Sequence, residues 1–580
     1  MISSIVHRIN NSKLNQMMKS RIFIVGLVMF FALASCNKEK QYNPKPNIIL
    51  IMSDDMGYSD IGCYGGVINT PVLDGLAENG LRFTQFYNAA RCCSTRASLL
   101  TGLHPHQAGI GYSMIDRGTD GYRGDLSKKA VTIAEVLKQV GYSTYISGKW
   151  HVTPLKPSNT NPSKHNWPLQ RGFDKFFGTI HGAGSFYDPN SLTRDNEFIV
   201  PLEDFYYTDA ISDNAIKFIE DHNSDNPFFL YLSYTAAHWP MHAKPQDIAK
   251  YKGKFDKGWD ELRARKYKKM LEMGLIKPEA KLSEKDNIPD WEDVELKGWY
   301  SSLMEVYAGM VDCMDQGIGR VMNQLEKKGI KDNTLIFFLQ DNGGCAEEFG
   351  FQKDIKPHHN DVEPDMIRPM GRDEFQTEMV PKYTRDGKPV LTGIGLKPGG
   401  DDTYLGYGKP WANASNTPFR MYKHWVHEGG ISTPLIVHWP EGIKAKNEFR
   451  NNPGHLIDIM ATCIDVAGGK YPETFYDNEI IPLEGISLTP AFKNKKLQSR
   501  SIFWEHEGNK AVRLGNYKLV SRWKKDSEYN WELYDLEFDR SETNNLIEKI
   551  PDKTKEMEIL WKDWAKKVGA LTWKRSQPIE

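Results

Sequence analysis

Asn47-Ile-Ile-Leu-Ile-Met-Ser-Asp-Asp-Met-Gly57 is the stretch from which the fold is read. Residues 47–52 form a short, continuous apolar run, the mark of a strand buried on both faces in a parallel sheet. The run ends in Asp54 and Asp55. Open α/β sheets bind ligands outside the carboxyl ends of their strands, so these two acids stand where chemistry is done. Adjacent carboxylates repel unless something positive neutralises them. A bound cation is the economical explanation, and a solvated acidic turn is the bland one.

Outward from this strand the chain alternates as α/β proteins do. The pattern predicts a helix over 70–79, a strand through Phe83, a helix over 131–140 and a strand over 142–146. It continues with a helix over 210–220, a strand over 228–234, a long amphipathic helix over 301–328 and a strand over 334–339. A strand over 434–439 and a helix over 455–467 follow. Three strand exits carry reactive side chains: Lys149 and His151, then His238, then Asp341 and Asn342 ahead of two glycines. In an extended segment Lys149 and His151, two apart, face the same side. A lone Lys-x-His is usually surface decoration and an isolated histidine usually a satisfied core residue, but all three pairs and singles fall at carboxyl ends. The charge-dense 250–293 segment reads as an exposed helical excursion, and 345–422, long and without period, as a wall of the substrate pocket. A join over 472–482 leads to four short antiparallel strands (502–504, 512–514, 517–520, 533–536) and a closing helix over 552–568. The expected fold is thus a large, mostly parallel sheet between helices, spanning 47–470, with a smaller α+β subdomain over 471–580.

The chain of 580 residues carries a net charge of −1, so no basic footprint points to nucleic acid. Its first 35 residues have a signal-peptide layout, with Lys19 and Arg21 ahead of an apolar run over 22–35. That run is shorter than the ~20 residues of a spanning helix. The leader holds four cations and no acid, so the chain without it stands at −5. Leu33-Ala34-Ser35-Cys36 resembles a bacterial lipobox, which implies an exported lipoprotein, periplasmic or at the cell surface, held to the membrane at Cys36. Residues 36–46 read as its tether. The six cysteines beyond Cys36 are scattered, and spacing assigns them no disulfide pairs.

The remaining signal is Cys92-Cys93-Ser94-Thr95-Arg96-Ala97-Ser98-Leu99-Leu100-Thr101-Gly102. Ser94 and Thr95 are good N-caps, and Gly102 a good stop, so Cys92 is expected just ahead of a helix N-terminus. With Arg96 in the first turn this is an electropositive thiol site, which lowers a cysteine's pKa. Two buried structural cysteines beside a capped helix are the alternative. The pattern Cys-x-Ser-x-Arg-x-x-x-Leu-Thr-Gly resembles the signature of type I sulfatases, of the alkaline phosphatase superfamily, and the Asp pairs and Lys423-x-x-x-x-Glu428-Gly429-Gly430 extend the likeness.

That resemblance implies a set of roles. Cys92 is oxidised to Cα-formylglycine by a formylglycine-generating or radical maturation enzyme, and its hydrated aldehyde is the nucleophile. Asp54, Asp55, Asp341, Asn342 and residue 92 hold one divalent cation, Ca²⁺ or alternatively Mg²⁺. Arg96 stabilises the hydrate, Lys149 and Lys423 grip the sulfate, His238 with Lys423 serves the leaving oxygen, and His151 takes a proton so that sulfate is expelled. The implied substrates are sulfated glycans: mucin-type O-glycans, glycosaminoglycans or other polysaccharides. Asn413, Asn416 and Arg420, just before Lys423, are expected by chain position to line the pocket. Two alternatives stand beside this reading: a phosphoester or phosphonate hydrolase of the same superfamily, and a non-catalytic surface glycan-binding protein.

Overall fold

The computed structural model describes residues 45–155, 162–525, 530–570 and 573. The leader, Cys36 and the tether up to residue 44 lie outside the described residues. Asn47–Ser53 is a strand, and its side chains alternate between two cores. Ile49 and Ile51 face one hydrophobic cluster, with the long helix Lys297–Lys327; Ile48, Leu50 and Met52 face another, with the helices Cys92–Thr101 and Ile457–Ala467. Burial on both faces is what the unbroken apolar run required.

The strand lies mid-sheet, flanked in parallel by Phe228–Ser233 and Thr334–Gln340; Ser143–Gly148 and Lys175–Thr179 extend the parallel block beyond Phe228–Ser233. On the other side Ser432–His438 runs antiparallel to both Thr334–Gln340 and Leu81–Tyr87, so the eleven-stranded sheet is mixed. Leu192–Arg194 and Glu197–Phe198 close one edge with antiparallel pairing, and Glu448–Arg450 pairs in parallel with Leu81–Tyr87 at the other. The long helix begins at Lys297, four residues before the apolar stripe first suggests it. The charged excursion holds the helix Gly258–Glu272, but Trp259, Leu262, Arg263 and Lys266 on it are buried. Lys266 reaches in to Asp60 at 2.8 Å, while Tyr307 of the long helix donates to the other Asp60 oxygen at 2.6 Å.

Ser501–His506, Asn509–Leu514, Tyr517–Ser521 and Trp531–Asp535 form a four-stranded antiparallel sheet, backed by the helix Pro551–Val568. One face of it packs with Tyr87, Ala90, Val426 and Ile431, at and beside the ends of the larger sheet's strands, the other with Met557, Trp561 and Trp564 of the helix. Among the described residues no helix is long and apolar enough to cross a membrane.

Candidate active site

Four neighbouring strands, Thr334–Gln340, Asn47–Ser53, Phe228–Ser233 and Ser143–Gly148, end on one edge of the sheet. Their exits are tied together: Asp341 N donates to Ser53 O (3.2 Å), Asp54 N to Ala236 O (2.9 Å) and Lys149 N to Ser233 O (2.8 Å). Extended neighbours point to opposite sides, and Asp55 instead takes a left-handed φ of 56°, which turns its carboxylate in beside that of Asp54. His151 is left-handed as well (φ 55°), not extended as its spacing from Lys149 suggests. Gly182 passes so close to its ring that a Cβ there would lie 2.2 Å from Cε1, so only glycine fits.

Cys92 opens the helix Cys92–Thr101 and is buried. Ser94 and Thr95 do not cap it: Arg91 holds the cap position, Ser94 Oγ donates to Ile110 O (2.9 Å), and Thr95 Oγ1 accepts from Ala89 N (2.9 Å). Both hydroxyls fix the loops around the helix start, and the first-turn amides stay at the site end. Cys92 Sγ lies 3.5 Å from His151 Nδ1. The Cys93 thiol beside it, together with Lys149, His151 and Lys423, holds the Cys92 thiol well below the ordinary range, against burial.

The acids and cations interlock. Lys149 Nζ binds Asp54 Oδ2 at 2.5 Å, Arg96 binds Asp341 Oδ2 at 2.9 Å and Asp54 Oδ2 at 3.4 Å, and Lys423 Nζ binds Asp55 Oδ1 at 2.9 Å. His238 Nε2 stands 3.3 Å from both Asp55 Oδ2 and Lys423 Nζ, and Asn342 Nδ2 donates to Asp55 Oδ1 at 2.7 Å. Burial raises the Asp54 carboxyl, but Lys149, His238 and Arg96 outweigh it and hold it low. Burial and the neighbouring Asp54 push Asp341 well up despite Arg96. Two carboxylates driven apart in this way would both ionise beside a cation. The donor atoms fit one: ligand atoms of Asp54, Cys92 and Asp341 lie within 4.8 Å of one another. Asp54 Oδ1 and Asn342 Oδ1 are buried without any hydrogen-bond partner. Such hard oxygens suit calcium or magnesium.

Asn413, Asn416 and Arg420 are not brought to this cluster as pocket-lining groups. Asn416 accepts from Gly344 N (2.8 Å) and donates to Met421 O (2.9 Å), and Asn413 donates to Tyr422 OH (3.4 Å). Arg420 bonds Tyr534 OH and Glu542 O, both at 3.1 Å, in the C-terminal sheet's surroundings. All three brace the segment that carries Lys423. Sequence reasoning passed over other groups. Arg91 Nη1 lies 2.7 Å from His424 Nδ1, His424 Nε2 pairs with Glu347 Oε1 (3.1 Å), and Glu347 accepts from Trp239 Nε1 (2.7 Å). Lys423 and His424 draw the Glu347 carboxyl far down against burial. His181 stands with its ring 6.2 Å from that of His151. Arg91 and His424 adjoin Cys92 and Lys423 in sequence, a signal that was available; Glu347, in a loop without period, carried none.

Residues 46–469 match the family model for sulfatases, and 419–568 match that for the C-terminal part of N-sulphoglucosamine sulphohydrolase. An uncharacterized sulfatase of Schizosaccharomyces pombe is 31% identical over 571 residues, 92% of this chain and 96% of the relative. An arylsulfatase of Klebsiella aerogenes is 30% identical over 473 residues, 79% of this chain and 94% of its own. Among solved structures, a sulfatase from Pseudoalteromonas sp. shares the fold at a TM-score of 0.60 and 20% identity, covering 93% of both chains.

Proposed function

The chain belongs to the sulfatase family and is a sulfuric ester hydrolase, and from that premise we propose that it removes O-sulfate groups from sulfated carbohydrates, using residue 92 after its conversion to Cα-formylglycine. The observation that carries this reading is the position of Cys92 Sγ, at a helix start, 3.5 Å from His151 and grouped with Asp54 and Asp341. Sulfur is a poor partner for a hard cation and oxygen a good one, so the donor set favours an oxygen on residue 92. The carbohydrate class is supported by relatives named for it, such as an N-acetylglucosamine-6-O-sulfatase of Bacteroides thetaiotaomicron, 26% identical.

Asp54, Asp55, Asp341, Asn342 and residue 92 would hold one divalent cation, which supplies Lewis acidity that lowers the pKa of an oxygen on residue 92. Lys149 and Lys423 bind the sulfuryl oxygens in a buried site, where fixed positive charge counts for more than in water. Arg96, committed to Asp341 and Asp54, orients those carboxylates. His238, 3.3 Å from Lys423 Nζ, delivers a proton to the departing alcohol. Burial takes His151 down to about 3, so at neutral pH its imidazole is the uncharged base that accepts a proton from residue 92. Export and lipidation at Cys36 would bring this chemistry to glycans outside the cell.

Peptide mass spectrometry of protein made with a maturation enzyme should find aldehyde at residue 92, and a fully intact thiol in active protein would refute the reading. In parallel assays aryl sulfate should be preferred to aryl phosphate; the reverse preference would assign the site to phosphoesters. Cys36→Ala should release the protein from membranes.

A further inference from the structure

Beside the reacting cluster lies a cleft of about 550 Å³, walled by Tyr112, Trp425, Trp523 and Trp573. It adjoins the cluster through the consecutive pair Lys423 and His424, and Arg91, next to Cys92, reaches Glu507 on its wall. Its inner wall is already charge-balanced. Glu347 is met by His424 and Trp239, and Glu507 by Arg91 (3.5 Å) and His424 Nδ1 (3.4 Å). The outer wall is different. The Arg522 guanidinium lies 5.4 Å from the Trp425 ring centroid, and among the described residues no carboxylate stands within ion-pair distance of it. Across the cleft, Arg117 stacks 4.1 Å from the Trp573 centroid and 5.0 Å from that of Tyr112.

An aromatic ring under a guanidinium occupies its face and leaves the in-plane N–H edge directed outward. That edge matches the paired oxygens of a sulfate or carboxylate. The flanking indoles suit the apolar faces of sugar rings. An anionic sugar gains a charge-assisted hydrogen bond from Arg522 that a neutral one does not.

We propose that the substrate carries a second anionic substituent, on the sulfated sugar or its neighbour, which Arg522 holds in the aromatic cleft beside the reacting cluster. The inference rests on the carbohydrate sulfatase reading and deepens it: the substrate class is a polyanionic glycan, in which the cleaved sulfate is one acid group and a second sulfate or a uronate is the other.

The test compares three disaccharides in the mature enzyme: one monosulfated, one with a second sulfate, and one with a neighbouring carboxylate. The wild type should turn over at least one diacid with kcat/KM about 10- to 100-fold above the monosulfated sugar, the range expected of hydrogen bonds to a charged group. Which diacid gains identifies the second group. In Arg522→Gln that ratio should fall toward one, through KM, and Arg522→Lys, which keeps the charge but loses the fork, should sit between. Calorimetry of the same sugars with Cys92→Ala, which cannot turn over, should show the same ranking in affinity. Turnover with no diacid preference, or a preference that survives Arg522→Gln, would overturn this inference alone. Failure to cleave any sulfate ester would overturn it together with the reading beneath it.

Discussion

At the scale of single residues, the site is held by charges that only balance as a group. Asp54, Asp55 and Asp341 are fully buried beside one another, and Lys149, Lys423 and Arg96 each answer one or two of them. Chelation should therefore abolish turnover and lower the unfolding temperature, and Ca²⁺ should restore both. At a concentration 100-fold above Kd, a cation bound only by the folded state adds about 2.7 kcal/mol. Asp54→Asn should lose most of that thermal response, which differential scanning fluorimetry with and without Ca²⁺ measures. Behind the loop that carries Asp54 and Asp55, Lys266 and Tyr307 hold Asp60, and Gly57 N donates to the same carboxylate at 2.8 Å. Lys266→Met strands a buried carboxylate, a change that costs about 3–5 kcal/mol; urea unfolding should show it, with partial recovery in Lys266→Met/Asp60→Asn. Much of the cluster is legible in the sequence because it falls at strand ends, where residue type and position coincide. The braces are not. Ser94 and Thr95 look like caps, and Asn416 and Arg420 like pocket residues, because a sequence shows which groups can bond and not which distant backbone atoms will meet them.

At the scale of elements, unbroken apolar runs identify the strands 47–53, 228–233 and 334–340, since burial on both faces leaves no alternation to confuse them. Direction is another matter. The run at Ser432–His438 is apolar only over Leu435–Val437 yet is buried throughout and pairs antiparallel on both sides, and a short apolar run does not encode strand direction. The most informative element contact joins the end of the helix Cys92–Thr101 to the closing helix. His104, just past Gly102, packs edge-on against Trp564 with ring centroids 5.1 Å apart. Burial depresses its pKa to about 3 from 6.5. The unfolded chain then binds the proton more readily than the folded one below pH 6.5. Stability from this group is complete above 6.5 and is lost as pH falls toward 3. By pH 5 the linkage amounts to about 2 kcal/mol. His104→Gln should flatten the acid side of the curve of unfolding temperature against pH between 7.5 and 4.5, and an unchanged slope would assign the acid limb to other groups.

At the scale of the whole molecule, the small sheet does more than cover an edge. Lys518, on the strand Tyr517–Ser521, is fully buried between Glu428 Oε1 (3.0 Å) and Glu542 Oε1 (2.9 Å). Glu428 begins the short helix five residues after Lys423, and Arg540 and Tyr87 meet its other oxygen at 3.4 Å and 3.2 Å. Trp504 Nε1, in the same small sheet, donates to Asn88 O at 2.8 Å, four residues ahead of Cys92. The C-terminal sheet thus grips both chain segments that bring groups to the reacting cluster from outside the parallel strands. Two consequences follow from that arrangement. Because the buried ion pairs span the join, heat should unfold both sheets in one transition, so tryptophan fluorescence and far-UV dichroism should give coincident midpoints. Lys518→Met leaves Glu428 and Glu542 facing one another without their shared cation, and its cost should be about 3–5 kcal/mol. The same variant should lower kcat for aryl sulfate under conditions where the protein is still folded, because Glu428 anchors the Lys423 segment. Separate midpoints for the two probes, or full activity in folded Lys518→Met, would show that the small sheet is carried by the catalytic domain and does not organise it.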